Sequence, residues 1–201
     1  MPAQRYLNFL LGDGHMTNIR HIGDKILHAK PRAVDLSTPS KDLLALGQLL
    51  RDELKESGGV GITANQCRRI KSPLQMMLVG VPKESEKFRA LVHKIYPDSD
   101  IPEVTLMLNP SIVKVEGKPS FTDRGEGCLS LLNSLRAEIP RSPKVTLHYY
   151  ALENNKAVEH TEVFEGFMAA AIQHEMDHLN GIVYIQKVFD QLSKSQLEEI
   201  L

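Results

Sequence analysis

His174-Glu175-Met176-Asp177-His178 sets two histidines four residues apart, with a glutamate directly after the first. On a helix, positions i and i+4 share a face, so both imidazoles can reach one cation. Glu175, one step around, can reach a water bound to that cation. The chemistry this arrangement suits is hydrolysis by a metal-activated water with a carboxylate base. The same five residues can also occur on a helix that merely carries two histidines, so the flanks matter. Phe167, Ala170 and Ala171 lie just upstream on the face that carries His174. Two alanines beside a metal ligand leave room for an unbranched apolar substrate side chain. They also permit close helix–sheet packing, and the two roles are compatible.

A catalytic site of this type needs a third protein ligand and an open position. The metzincin continuation H-E-x-x-H-x-x-G-x-x-H has Gly181 in place, but its last position is Tyr184. Glu198 and Glu199 are carboxylates at the extreme end of the chain, where ends fray. Upstream, Cys128 in Glu126-Gly127-Cys128-Leu129-Ser130 offers sulfur, a strong donor to a borderline-soft cation. Taken alone, a single thiol is as readily a packed core residue. Three readings follow: a hydrolase using Cys128, a metallopeptidase with another third ligand, and a non-enzymatic binding module stapled by a closed metal site. A closed site calls for four strong ligands, and Glu175 speaks for chemistry.

The elements that must position these residues are legible in outline. Leu43, Leu46, Leu50 and Leu54 repeat at helical spacing over 41–57, between Thr38-Pro39 and Gly58-Gly59. A tight glycine segment follows, Gly59 to Gln66. Strands are expected at Gln75–Val81, at Val104–Leu108 (closed by Asn109-Pro110) and at Ile112–Val115. Between the first two, 82–103 reads as an insertion with a short helix near 84–94. Lys144–Leu152 and Ala157–Phe164 flank Glu153-Asn154-Asn155-Lys156 as a hairpin. A helix over Glu165–Asn180 stops at Gly181, followed by a short strand, Ile182–Ile185, and a last helix near 190–200. This order predicts an α+β fold, with mostly antiparallel sheets packed around the metal-binding helix.

The 201 residues suffice for one domain, expected over 16–201. Residues 1–15 end in a His15-Met16 junction that resembles an expression tag or extension. A net charge of −1 with mixed signs argues against direct nucleic-acid binding. No run approaches the roughly 18 apolar residues of a membrane span. Two cysteines fit a reducing, cytoplasmic setting, with Cys67 a packed small residue.

Three segments together resemble the peptide deformylase family: Gly59-Val60-Gly61-Ile62-Thr63-Ala64-Asn65-Gln66, Glu126-Gly127-Cys128-Leu129-Ser130, and Gln173-His174-Glu175-Met176-Asp177-His178-Leu179-Asn180-Gly181. Ile22-Gly23-Asp24-Lys25-Ile26-Leu27 also looks like the family's opening. The resemblance spans most of 19–185 in the family's order. It implies a hydrolase that removes the formyl group from N-formylmethionyl peptides, with nascent chains at the ribosome as partners. It further implies Cys128, His174 and His178 as ligands of Fe²⁺ (Zn²⁺ or Ni²⁺ being possible in the same site). Glu175 would be the general acid/base, with Gln66 and the Leu129 N–H on the developing oxyanion. Gly59, Val60, Gly61, Glu126, Gly127, Arg136, Phe167, Ala170 and Ala171 are the residues expected to meet substrate. Asp177 is expected to pair with Arg141 rather than to react. The chain departs from the family pattern at Thr63, where alanine is usual, and at Leu131-Leu132-Asn133, one residue longer than the pattern before Pro140-Arg141.

Overall fold

In the computed structural model, residues 18–97, 99–123, 125–131 and 135–191 are described. The expectation for residues 1–15 lies outside them. The leucine stripe forms helix α1 (Ser40–Ser57), which buries Leu43, Leu50 and Leu54. Gly58 ends it in the left-handed conformation, its N–H donating to the Leu54 carbonyl.

Among the described residues, seven strands follow this helix: β1 (Gly61–Thr63), β2 (Met76–Val79), β3 (Thr105–Glu116), β4 (Glu126–Gly127), β5 (Arg136–Ala137), β6 (Lys144–Glu153) and β7 (Lys156–Glu165). Five form one antiparallel sheet in the order β1-β2-β3-β6-β7, and β4 pairs with β5 apart from it. Helix α2 (Glu86–Ile95) lies within the expected insertion; α3 (Gly166–Leu179) and α4 (Tyr184–Gln191) follow the hairpin.

Strand β2 shows why the sheet needs helices on both faces. All four of its residues are buried. Met76 and Leu78 pack with Leu43, Leu50 and Leu54 of α1. Met77 and Val79 point the other way and pack with Met168, Ala169 and Ile172 of α3. The period of two along a strand sends alternate side chains to opposite faces, so the sheet separates the two helices. The β6–β7 hairpin turns at Asn154 and Asn155, both at positive φ, as the favoured two-residue turn requires.

Two expectations are corrected. Asn109-Pro110 does not close a strand: β3 runs through it, with its register shifting between Leu108 and Ser111. Asn109 takes φ 48° there. Its side-chain amide replaces a strand neighbour, accepting from Val34 N–H at 2.7 Å and donating to Val34 C=O at 2.9 Å. The bulge lets one strand pair with β2 at one end and β6 at the other. Nor is 182–185 a strand, since α4 begins at Tyr184. Gln186 reaches back to accept the Val183 N–H at 2.8 Å, a helix-starting contact that periodicity in a four-residue apolar run does not reveal. The helix therefore starts earlier than expected, and 192–200 lie outside the described residues.

Asn109→Ala is expected to lower unfolding free energy by about 2–4 kcal/mol, from two lost hydrogen bonds and a left-handed residue that alanine resists. Urea denaturation with an unchanged m-value checks it. A midpoint equal to wild type would show that the bulge does not depend on this side chain.

Candidate active site

The turn after β4 and one face of α3 bring three donors together. One ligand atom each from Cys128, His174 and His178 lies within 4.8 Å of the other two. Cys128 Sγ stands 3.2 Å from His178 Nε2. Donors about 2.0–2.3 Å from a common cation in tetrahedral array stand about 3.4–3.6 Å apart, so this cluster needs only small adjustment to hold a metal. One sulfur and two imidazoles suit a borderline-soft divalent ion.

The surroundings shift the two imidazoles in opposite directions. Burial opposes a charge on His174, yet its hydrogen bonds to Cys128 and Glu126 and the nearby Glu175 push it up to about 10. Burial, with the charges of His174 and Arg141, pulls His178 well below the usual range and keeps it neutral, the form that binds metal.

His174 is held from behind through its ring, and His178 through its backbone. Nδ1 of His174 contacts Glu126 Oε2 at 2.9 Å, which leaves Nε2 for the cluster. Glu126 in turn takes two hydrogen bonds from Arg141, Nε to Oε1 at 2.6 Å and Nη2 to Oε2 at 2.9 Å. Arg141 also donates from Nη1 to Asp177 Oδ2 at 2.7 Å, and Lys187 reaches Asp177 as well. Burial opposes the Glu126 charge, but Arg141 and His174 outweigh it and hold the carboxyl below the usual range. Both Glu126 oxygens are therefore engaged in orienting protein groups. Asn65, unmarked by the sequence, donates to the His178 carbonyl at 2.6 Å and the Leu27 carbonyl at 3.1 Å. Gln173 donates to Ser142 C=O at 2.8 Å and accepts its N–H at 3.1 Å, pinning α3 to the start of β6.

Glu175 is buried against β1. Burial is the main cause that lifts its carboxyl to about 7, with His174 and Arg141 opposing and Glu126 and Asp177 adding. A Cβ on Gly61 would stand 2.5 Å from Glu175 Oε1, so this close approach requires glycine. Gln66 is buried with Nε2 3.2 Å from His178 Nε2 and 3.2 Å from Ser130 Oγ. Its Oε1 accepts the Thr63 N–H at 2.8 Å and lies 3.0 Å from the Thr63 hydroxyl. The departing residue Thr63 thus joins the set that turns the amide N–H₂ toward the cluster.

A cavity of about 450 Å³ opens beside these groups. It is lined by Gly59, Val60, Gly61, Gln66, Glu126, Gly127, Cys128, Leu129, Arg136, Phe167, Ala170, Ala171, His174 and Glu175, so every expected site residue but the deeper His178 meets it. Arg136 is placed by the pairing of β5 with β4 and donates to the Gly125 carbonyl at 2.6 Å. Phe88, Leu91, Val92, Ile95 and Tyr96, from the 82–103 insertion, line the same cavity, which sequence reasoning missed. Tyr184, the position a metzincin would fill with histidine, donates instead to the Leu135 carbonyl at 2.6 Å. Glu198 and Glu199 lie outside the described residues.

The polypeptide deformylase family matches residues 16–194. Peptide deformylase of Desulforudis audaxviator is 34% identical over 164 residues, 82% of this chain and 88% of that protein. That of Thermus thermophilus is 31% identical over 189 residues, covering 91% and 85%. Among solved structures, a class I type b peptide deformylase of Acinetobacter baumannii bound to Met-Ala-Ser superposes with a TM-score of 0.67 at 27% identity, covering 84% of this chain and 95% of that one. The crystal structure of peptide deformylase from Thermus thermophilus gives 0.63 at 29% identity, covering 90% and 89%. Motifs, fold and relatives agree, and neither the peptidase nor the binding-module reading gains support: the chain belongs to the polypeptide deformylase family.

Proposed function

We propose that this chain is a metal-dependent hydrolase that removes the formyl group from the amino-terminal formylmethionine of new polypeptides, with the reaction run by the residues around Cys128, His174 and His178. The observation that carries this is the buried Glu175 beside the three-donor cluster, at the inner end of a peptide-sized cavity. The Acinetobacter baumannii relative with Met-Ala-Ser bound supports a peptide in that cavity.

Cys128, His174 and His178 would hold the cation. When bound, a divalent ion there supplies Lewis acidity and acidifies water. Glu175 takes the proton of the attacking water and returns it to the leaving nitrogen, a dual role suited to a carboxyl that titrates near neutrality. Gln66 Nε2 and the Leu129 N–H face the carbonyl oxygen as it gathers charge; one such donor is typically worth about 3 kcal/mol. Formate and a free amine leave. The backbone at Gly59, Val60 and Gly61 forms the wall that admits a formyl hydrogen and excludes an acetyl methyl group. Phe167, Ala170 and Ala171 take the methionine side chain, with Gly127 and Arg136 at the peptide backbone and Glu126 fixing the site from below.

The sulfur-containing donor set suits Fe²⁺, and Zn²⁺ or Ni²⁺ could take the same place. Iron with Cys128 would leave the enzyme sensitive to oxygen through oxidation of the thiol. Such substrates arise on ribosomes, so the place of action is the cytoplasm beside nascent chains. No helix among the described residues is long and apolar enough to cross a membrane.

Glu175→Ala should cut turnover of formyl-Met-Ala-Ser by about 10²–10⁴-fold while metal content stays at wild type. In the wild type, kcat/KM should fall as acid protonates this base, with an apparent pKa at or below about 7 because a neighbouring cation favours the carboxylate. A variant as fast as wild type would remove Glu175 from the mechanism. Gly61→Ala, which must displace the Glu175 carboxylate, should lose about 10²-fold in kcat with its fold intact by circular dichroism. Cys128→Ser should lose metal on dialysis, and with it turnover and thermal stability; full metal retention would reassign the third ligand.

A further inference from the structure

Gln66 and Leu129 stand on turns far apart in sequence, and the segment 18–24 runs across both. The Arg20 N–H donates to the Gln66 carbonyl at 2.6 Å, and the Ile22 N–H donates to the Ser130 carbonyl at 3.0 Å. Ile19 pairs with Cys67 in an isolated antiparallel bridge, and the Arg68 N–H donates to the Asn18 carbonyl at 2.6 Å.

The Arg20 side chain serves the first of these turns. It is only 2% exposed, and its guanidinium donates to three carbonyls of 65–70. Nη1 meets those of Asn65, at 3.2 Å, and Cys67; Nη2 meets that of Ile70 at 2.8 Å. Nε lies 3.5 Å from Asp24 Oδ2, so the charge is countered within its own segment.

Converging carbonyls repel one another and, when buried, need donors. Asn65, Cys67 and Ile70 are all buried, and one planar cation meets the three together. Gln66 lies between two of the residues so held. Its Nε2 stands 3.2 Å from both Ser130 Oγ and His178 Nε2. A small rotation of the turn would carry that amide away from the place where charge develops, and a misplacement of about 1 Å can cost on the order of 10²-fold in rate. Arg20 itself does not line the cavity.

We propose that Arg20 is a positioning residue for the oxyanion: by gathering the carbonyls of 65–70 it aims the Gln66 amide. This rests on the deformylase reading, in which Gln66 faces the carbonyl oxygen.

The test measures kcat and KM for formyl-Met-Ala-Ser with metal-loaded wild type, Arg20→Met, Gln66→Ala and the double variant. Arg20→Met keeps the backbone bonds of its segment and removes only the guanidinium. It should lower kcat about 10- to 100-fold, with metal content at wild type and KM changed by no more than about twofold. In the Gln66→Ala background there is no amide left to aim, so the same substitution should lower kcat by less than about threefold. Arg20→Lys keeps a charge that reaches fewer of the carbonyls. It should fall between wild type and Arg20→Met, and it replaces the methionine variant in both backgrounds if that one does not fold. An equal loss in both backgrounds would make Arg20 merely structural and overturn the proposal. So would an Arg20→Met kcat at wild type, a loss confined to KM or to metal content, or a Gln66→Ala variant as fast as wild type. A wild type that leaves the formyl peptide intact would instead overturn the deformylase reading.

Discussion

Arg141 is the group on which the site depends. Its guanidinium is buried and joins two pieces of chain far apart in sequence: Glu126, at the root of the Cys128 turn, and Asp177, on the helix that carries both histidines. Burying the Arg141–Glu126 pair is costly unless each charge is met by hydrogen bonds of good geometry, and removal of either leaves the other uncompensated. Glu126 spends its remaining capacity on His174, so the salt bridge that docks the helix also sets which imidazole nitrogen faces the cluster. Fold and ligand orientation are thus decided by the same few atoms. The pKa directions agree: Arg141 is raised despite burial and Glu126 lowered despite burial, each because the other is there.

Much of this is legible in the sequence because it is local. The spacing of His174 and His178 needs only a helix to become a site, and Gly181 marks where that helix stops. The leucines of α1, the Asn154-Asn155 turn and the helix within 82–103 are likewise short-range signals, and the structure has all of them. What sequence could not carry are relations between segments. Nothing in Glu126 says that its partners include Arg141 and His174. The two-residue ladder of β4 with β5, which places Gly127 opposite Arg136, is too short to have a period. Asn109 misleads because its side chain takes over a role usually filled by a neighbouring strand, and Gln186 because one reach-back bond turns an apolar run from strand into helix. Helix α2 is visible as a helix, but on which wall it stands depends on Arg89, Tyr96 and Ser99 finding partners elsewhere.

Thr63 shows how a departure from a family pattern can be absorbed. A hydroxyl in a buried pocket must find partners, and this one has Asn65 Oδ1 at 2.7 Å and Gln66 Oε1 at 3.0 Å. Asn65 holds the backbone of His178 while Gln66 faces the cluster, so the extra oxygen ties the floor of the metal helix to the amide above it. The polar atom is satisfied without displacing any group that lines the cavity.

Among the described residues, the strand order also leaves β7 as the ten-residue outer edge of the main sheet, paired to β6 on one side. A catalyst whose substrates are extended, unfolded chains meets a constant supply of peptides able to hydrogen-bond to such an edge. Lys156, Glu159, Glu162 and Glu165 are spaced along it, and the first three are exposed. Stacking another strand there would strip water from charged side chains, a standing deterrent to edge-to-edge aggregation. The opposite edge, β1, is only three residues long and has Glu175 packed against it. The sheet thus discourages sticking along its length and keeps its short edge for the cavity, which lets an enzyme of unfolded chains stay free of them.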